Sequence, residues 1–267
     1  DGIDTLSYAT YIPQAAVGVT VSLSLSGPQD TGGAGTDTLQ GFSNLYGSAF
    51  DDVLTGNGAD NGLYGFAGND ILDGAGGNDT LDGGLGNDTA SYAGAGAAVT
   101  VNLLLGGVQE TGGGGVDTYV SIENITGSAF DDTLTGDFGN NELNGGAGND
   151  TLDGGFGNDV LEGGTGTNSL AGGSGLDTAS YAHAAAGVTV SLAIAGPQDT
   201  LGAGTDTLTD IENLQGSAFD DLLTGNAAAN VLNGGAGIDT VSYAAATAAV
   251  IANLNGGFAI GGGGNDT

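Results

Sequence analysis

The chain is 267 residues long and carries 57 glycines, 32 Asp plus Glu, and neither Lys nor Arg, for a net charge of -32. Ordinary domains hold charges of both signs, so this one must draw its counter-charge from dissolved cations. Nucleic acid and insertion into a membrane are excluded, because binding to phosphate starts with Lys and Arg and no apolar run approaches the roughly 18 residues that span a bilayer.

Taken in order, Asp1-Gly2-Ile3-Asp4-Thr5-Leu6-Ser7-Tyr8 resembles the end of a repeat run whose earlier coils are missing. Next, Val19, Val21, Leu23 and Leu25 alternate with polar residues, which predicts a strand with one buried face. A lone glycine loop, Gly32 to Asp37, and an inserted strand, Phe42 to Leu45, follow. Both recur further on: alternating Val99 to Leu105 and Val188 to Ile194, loops ending at Asp117 and Asp206, and inserted strands at Ile122 to Ile125 and Ile211 to Leu214. We expect these segments to continue a solenoid with longer coils. Gly-Ser-Ala-Phe-Asp-Asp opens a repeat run at Gly47, Gly127 and Gly216.

Within each run the period is nine residues. The sixth position holds Asp52, Asn61, Asp70, Asp79 and Asp88, then Asp132, Asn141, Asp150, Asp159, Asn168 and Asp177, then Asp221, Asn230 and Asp239. The eighth is aliphatic, as in Leu54, Leu63, Leu72 and Leu81, so acid and aliphatic stay in phase. Glycines let a short loop turn its carbonyls toward one point, and aspartate adds hard anionic oxygen of the kind that calcium prefers.

These units resemble the Gly-Gly-x-Gly-x-Asp-x-U-x repeat of the repeats-in-toxin (hemolysin-type) family, in which U is a large aliphatic residue. The resemblance implies an all-β fold, a parallel β-roll or β-helix solenoid with multiple calcium ions in the glycine-rich loops between coils. It also implies that two nonapeptides form one coil, so that ligands pair 18 residues apart, as in Asp52 with Asp70. The metal ligands so implied are Asp37, Asp52, Asn61, Asp70, Asp79, Asp88, Asp117, Asp132, Asn141, Asp150, Asp159, Asn168, Asp177, Asp206, Asp221, Asp239 and Asp266. Asn61 and Asn141 would make weaker sites. Carboxylates about 4.8 Å apart on adjacent coils repel by about 1 kcal/mol per pair even in water, so folding and calcium binding are expected to be one event.

The expected organisation is 1–46, the end of a preceding roll plus inserted strands; 47–92, a first roll; 93–126, inserted strands; 127–181, a second roll; 182–215, inserted strands; 216–243, a third roll; and 244–267, the start of a further unit. Asp51, Asp131 and Asp220 are expected to be surface charge. Tyr92, Tyr181 and Tyr243, with Phe50, Phe130 and Phe219, are expected to cap the apolar ends. His183, the one histidine, is read as incidental. With no Gly-x-Ser-x-Gly elbow and no cation to steady an oxyanion, the chain is not expected to be an enzyme.

The function expected is that of a calcium-stiffened structural segment of an adhesin, surface layer or matrix fibre. The resemblance places such a protein outside a Gram-negative bacterium, exported by a type I system. The alternative is a calcium module on a secreted hydrolase or epimerase. Threonines such as Thr80, Thr89, Thr133, Thr135 and Thr151 suggest ice binding, although they keep no single register. The broken motifs at both ends lead us to expect that the array continues in a longer chain or that copies stack head to tail.

Overall fold

The computed structural model describes residues 3–9, 17–244, 250–253, 258–261 and 264–266, with side chains described up to residue 244. Among the described residues there is no helix, and the strands are short. Two compact units divide the chain at Ala129 and Phe130. The fold is a parallel β-roll.

In the first unit two parallel stacks carry alternate nonapeptides. One runs through Thr5–Ser7, Asn44–Tyr46, Gly62–Ala67, Thr80–Leu85 and Gly115–Val120. The other runs through Thr20–Ser22, Val53–Asn57, Ile71–Ala75, Thr89–Ser91 and Asn124–Thr126. The register is the expected 18-residue step: Leu54 lies opposite Leu72 and Leu63 opposite Leu81. The second unit repeats this arrangement, with Leu134 opposite Leu152, Leu152 opposite Leu170 and Leu143 opposite Leu161.

Eighth-position side chains form the core. Leu54, Leu63, Leu72, Leu81, Ala90, Leu134, Leu143, Leu152, Leu161, Leu170 and Ala179 are all fully buried. One leucine per nine residues is a thin core. The neighbouring seventh positions point the other way, as Ile71 shows at 43% exposure.

One expectation about the intervening segments needs correction. The alternating strands stop early, at Thr20–Ser22, Thr100–Asn102 and Thr189–Ser191, leaving Leu25, Leu105 and Ile194 about half exposed. A glutamine ends each strand: Gln29 Oε1 accepts the Ser22 amide at 2.8 Å and Gln29 Nε2 donates to the Ser22 carbonyl at 2.8 Å. Gln109 on Asn102 and Gln198 on Ser191 repeat this clamp, which occupies the backbone groups that a further ladder would need.

The solenoid does continue in longer coils as expected, with Asn124–Thr126 stacked parallel on Thr89–Ser91 and Asn213–Gln215 on Thr178–Ser180, and within those coils each lone glycine loop turns an antiparallel hairpin. Gln29–Asp30 pairs with Thr36–Asp37, Val108–Gly112 with Gly115–Val120, and Gln198–Asp199 with Gly204–Thr209. Each turn closes on a glycine with positive φ, 96° at Gly35, 102° at Gly115 and 99° at Gly204, whose carbonyl accepts the hydroxyl of Thr31, Thr111 or Thr200.

Leu72→Ala is expected to cost about 2–5 kcal/mol, the usual range for emptying a packed leucine site. Ile71→Ala should cost under about 0.5 kcal/mol as a surface change. Denaturant unfolding of both variants in saturating calcium checks this.

Candidate metal centre

At the sixth position each side chain reaches back one coil. Asp70 Oδ1 accepts the Asp52 amide at 2.8 Å, and Asp88 Oδ1 the Asp70 amide at 2.8 Å. Asp79 binds Asn61, Asp150 binds Asp132, Asp159 binds Asn141 and Asp177 binds Asp159 in the same way, each at 2.8 Å. These aspartates are at most 1% exposed. Their second oxygens, Oδ2 of Asp70, Asp79, Asp88, Asp150, Asp159 and Asp177, are buried without a hydrogen-bond partner. An unpartnered buried anion is unfavourable unless a cation meets it.

The first-position glycine makes room for that oxygen. A Cβ on Gly65 would lie 2.1 Å from Asp70 Oδ2 and 2.7 Å from the Gly83 carbonyl oxygen. On Gly154 it would lie 2.4 Å from Asp159 Oδ2 and 2.7 Å from the Gly172 carbonyl oxygen. Carboxylate and carbonyl oxygens therefore border one small space beside each glycine, hard donors of the kind calcium takes. Among the described residues no three His, Asp or Glu side chains converge on a point, so backbone oxygen must complete any coordination sphere.

Electrostatics agree. Burial, followed by the charges of Asp52 and Asp88, raises the Asp70 pKa to about 7. Burial, with Asp117 the leading charge, raises Asp79 to about 7. Asp150 and Asp159 are raised to about 6, burial again coming first.

Other residues with the same expected role close their bonds within the protein. Asp52 takes the Val19 amide at 2.7 Å and the amide and hydroxyl of Ser48 at 2.5 and 2.9 Å. Asp221 is held likewise by Val188 and Ser217, so the serine of Gly-Ser-Ala-Phe-Asp-Asp caps the first aspartate of a run. Asn61 accepts the Asn57 amide at 2.7 Å and donates to the Ser43 carbonyl at 2.8 Å. Asn168 bridges the Asp150 amide and the Asp206 carboxylate.

The lone-loop aspartates meet tyrosine instead. Asp117 Oδ2 takes the Tyr92 hydroxyl at 2.8 Å and the Thr111 hydroxyl at 3.2 Å, while its Oδ1 takes the Asp79 amide at 3.1 Å. Tyr8 and Thr31 bind Asp37 in the same manner. Tyr181 faces Asp206 without closing that bond, and Asp206 Oδ2 stays unpartnered. Asp132 and Asn141 are buried and already bonded. Asp239 is exposed and accepts the Asp221 amide at 3.1 Å. The side chain of Asp266 lies outside the described residues.

Tyr92 and Tyr181 are 2% exposed, and the phenol of Tyr92 latches a hairpin aspartate. Phe50, Phe130 and Phe219 are 38–47% exposed, at the fourth position of a loop, and are not buried over an apolar end. The fifth-position residues are exposed but not idle: Asp51 Oδ1 accepts the Asn69 amide at 2.7 Å, and Asp131 accepts that of Asn149. His183 pairs with Glu162, Nδ1 to Oε2 at 2.9 Å.

A model of the RTX calcium-binding nonapeptide repeat matches residues 40–65, 63–90, 122–152, 146–179 and 206–241, more than half of the chain. The chain belongs to this family, and its cofactor is calcium, bound at multiple sites. A search of curated protein sequences returned no match. Among solved structures the chain is similar to the extracellular lipase LipA from Serratia marcescens, at 19% identity and a TM-score of 0.24, over 86% of this chain and 38% of the lipase. The match spans less than two fifths of the lipase's length.

The raised carboxylate pKa values fix the sign of a pH effect. A folded pKa above the unfolded value of about 4 stabilises the calcium-free fold at low pH, and the contribution is lost as pH rises through about 6 to 7. Dialysed, calcium-free protein should therefore show more β structure by far-UV circular dichroism at about pH 5.5 than at about pH 8. Apparent calcium affinity should rise from about pH 5.5 to about pH 8, as protons cease to compete for the same carboxylates.

Proposed function

We propose that this chain is a calcium-dependent structural segment of a secreted bacterial adhesin, surface-layer or extracellular matrix fibre protein, which folds when it meets calcium outside the cell. The observation that carries this reading is the set of six buried, unpartnered aspartate oxygens in phase with the leucine core. Asp70, Asp79, Asp88, Asp150, Asp159 and Asp177 are its principal ligands, joined by carbonyls such as those of Gly83 and Gly172. Asp52, Asp221, Asn61, Asn168, Asp37 and Asp117 hold the scaffold through their own hydrogen bonds. Bound calcium supplies the positive charge that a chain of net charge -32 lacks.

A calcium-poor cytoplasm would keep such a chain open for export, and calcium-rich surroundings would close it. The described residues offer parallel coils and buried acids, which suit a load-bearing or spacing role. Copies stacked head to tail, or a longer array, would extend it.

Far-UV circular dichroism at neutral pH should show a largely unfolded chain in chelator and a cooperative gain of β structure in millimolar calcium. Magnesium should substitute poorly, since it demands a tighter octahedron. An unchanged β spectrum in chelator would sink the proposal. Asp70→Asn should raise the calcium midpoint several-fold, whereas Asp117→Asn, whose neighbour is a phenol, should barely move it.

A further inference from the structure

The last nonapeptide of each long run lacks a following aspartate, yet its own aspartate keeps the unpartnered oxygen. Asp88 and Asp177 are fully buried, and neither Oδ2 has a partner. The amide of Asp88 donates to Glu123 Oε2 at 2.8 Å, and that of Asp177 to Glu212 Oε2 at 2.9 Å. Glutamate, one methylene longer, has taken the place that the next aspartate holds elsewhere in the column.

A backbone carbonyl comes with it. A Cβ on Gly83 would lie 2.3 Å from the Ser121 carbonyl oxygen and 2.4 Å from Asp88 Oδ2. On Gly172 it would lie 2.1 Å from the Asp210 carbonyl oxygen and 2.7 Å from Asp177 Oδ2. This is the arrangement seen beside Gly65, with Ser121 or Asp210 in place of a loop glycine. Ser121 and Asp210 hold φ at 47° and 49°, a left-handed conformation unfavourable for residues with a Cβ.

The first junction shows what the backbone does alone. Ser43 and Asn44 donate their amides to the Asp4 carbonyl at 2.9 and 3.1 Å, just as Glu123 and Asn124 do to Asp88 at 3.1 and 2.8 Å. There Gly41 takes the positive φ, 76°, Ser43 stands where the others have glutamate, and Asp4 is exposed. Docking of the inserted strand therefore does not require a carboxylate.

We propose that Asp88 with Glu123 and the Ser121 carbonyl, and Asp177 with Glu212 and the Asp210 carbonyl, form two junction calcium sites outside the nonapeptide pattern, fastening each inserted segment to the run before it. This rests on the calcium reading above. Glu123→Gln and Glu212→Gln keep an oxygen for the aspartate amide but remove the charge. Bound calcium per chain, measured by equilibrium dialysis with atomic absorption, should fall by one ion in each variant and by two in the double variant, with the β spectrum in saturating calcium retained. An undiminished count in a folded variant would overturn the proposal, while a wild-type chain that binds no calcium would overturn the underlying reading instead. Should the variants not fold, infrared spectra of wild-type protein labelled at the glutamate carboxylates decide. Of its five glutamates, two should shift to a calcium-ligated stretch, and no shift would overturn the proposal.

Discussion

Everything in this fold depends on a buried carboxylate that the protein satisfies only by half. One oxygen of each interior sixth-position aspartate accepts an amide from the preceding coil, and the other faces carbonyls and a glycine that has been kept bare to admit it. The leucine core is one residue deep per nonapeptide and cannot offset the burial of so many anions. On the reading proposed above a cation makes up the difference, and the chain, lacking Lys and Arg, carries none of its own.

The regular part of this arrangement was legible in the sequence because a nine-residue period encodes both chemistry and register. The aliphatic eighth position pointed to the buried leucines, and the resemblance to the repeats-in-toxin family implied the 18-residue pairing; both are observed. What escaped was the set of places where the period breaks. Nothing in the spacing distinguishes Asp52 from Asp70, yet Ser48 closes the first and leaves the second open. The serine of Gly-Ser-Ala-Phe-Asp-Asp was the available signal, since it recurs at the second position of the first motif in every run, Ser48, Ser128 and Ser217, and at that position in no later motif. Glu123 and Glu212 were missed because they sit outside any nonapeptide and reach the column from a different backbone position.

The intervening segments misled for a related reason. A glycine loop ending in aspartate looks the same whether it turns a coil or a hairpin, and what marks the hairpin lies outside the loop: a glutamine clamped to a strand residue seven positions earlier and a tyrosine, 25 residues from the aspartate, that takes its carboxylate. Side-chain bonds between residues 25 or more apart, such as Tyr92 to Asp117, leave no trace in a local pattern.

Because successive nonapeptides alternate between two faces, their number acts as a parity switch. The first run has five motifs, and its first and last strands, Val53–Asn57 and Thr89–Ser91, belong to one sheet. The second run has six, and it begins in the sheet of Thr133–Thr135 but ends, at Thr178–Ser180, in the opposite one. Adding or losing a single repeat therefore moves the next hairpin to the other side of the roll, whereas a change by two leaves its side unaltered and only lengthens the spacer. Odd and even arrays are different display surfaces built from the same part, and a lineage that duplicates repeats in pairs can change length without changing what each face presents.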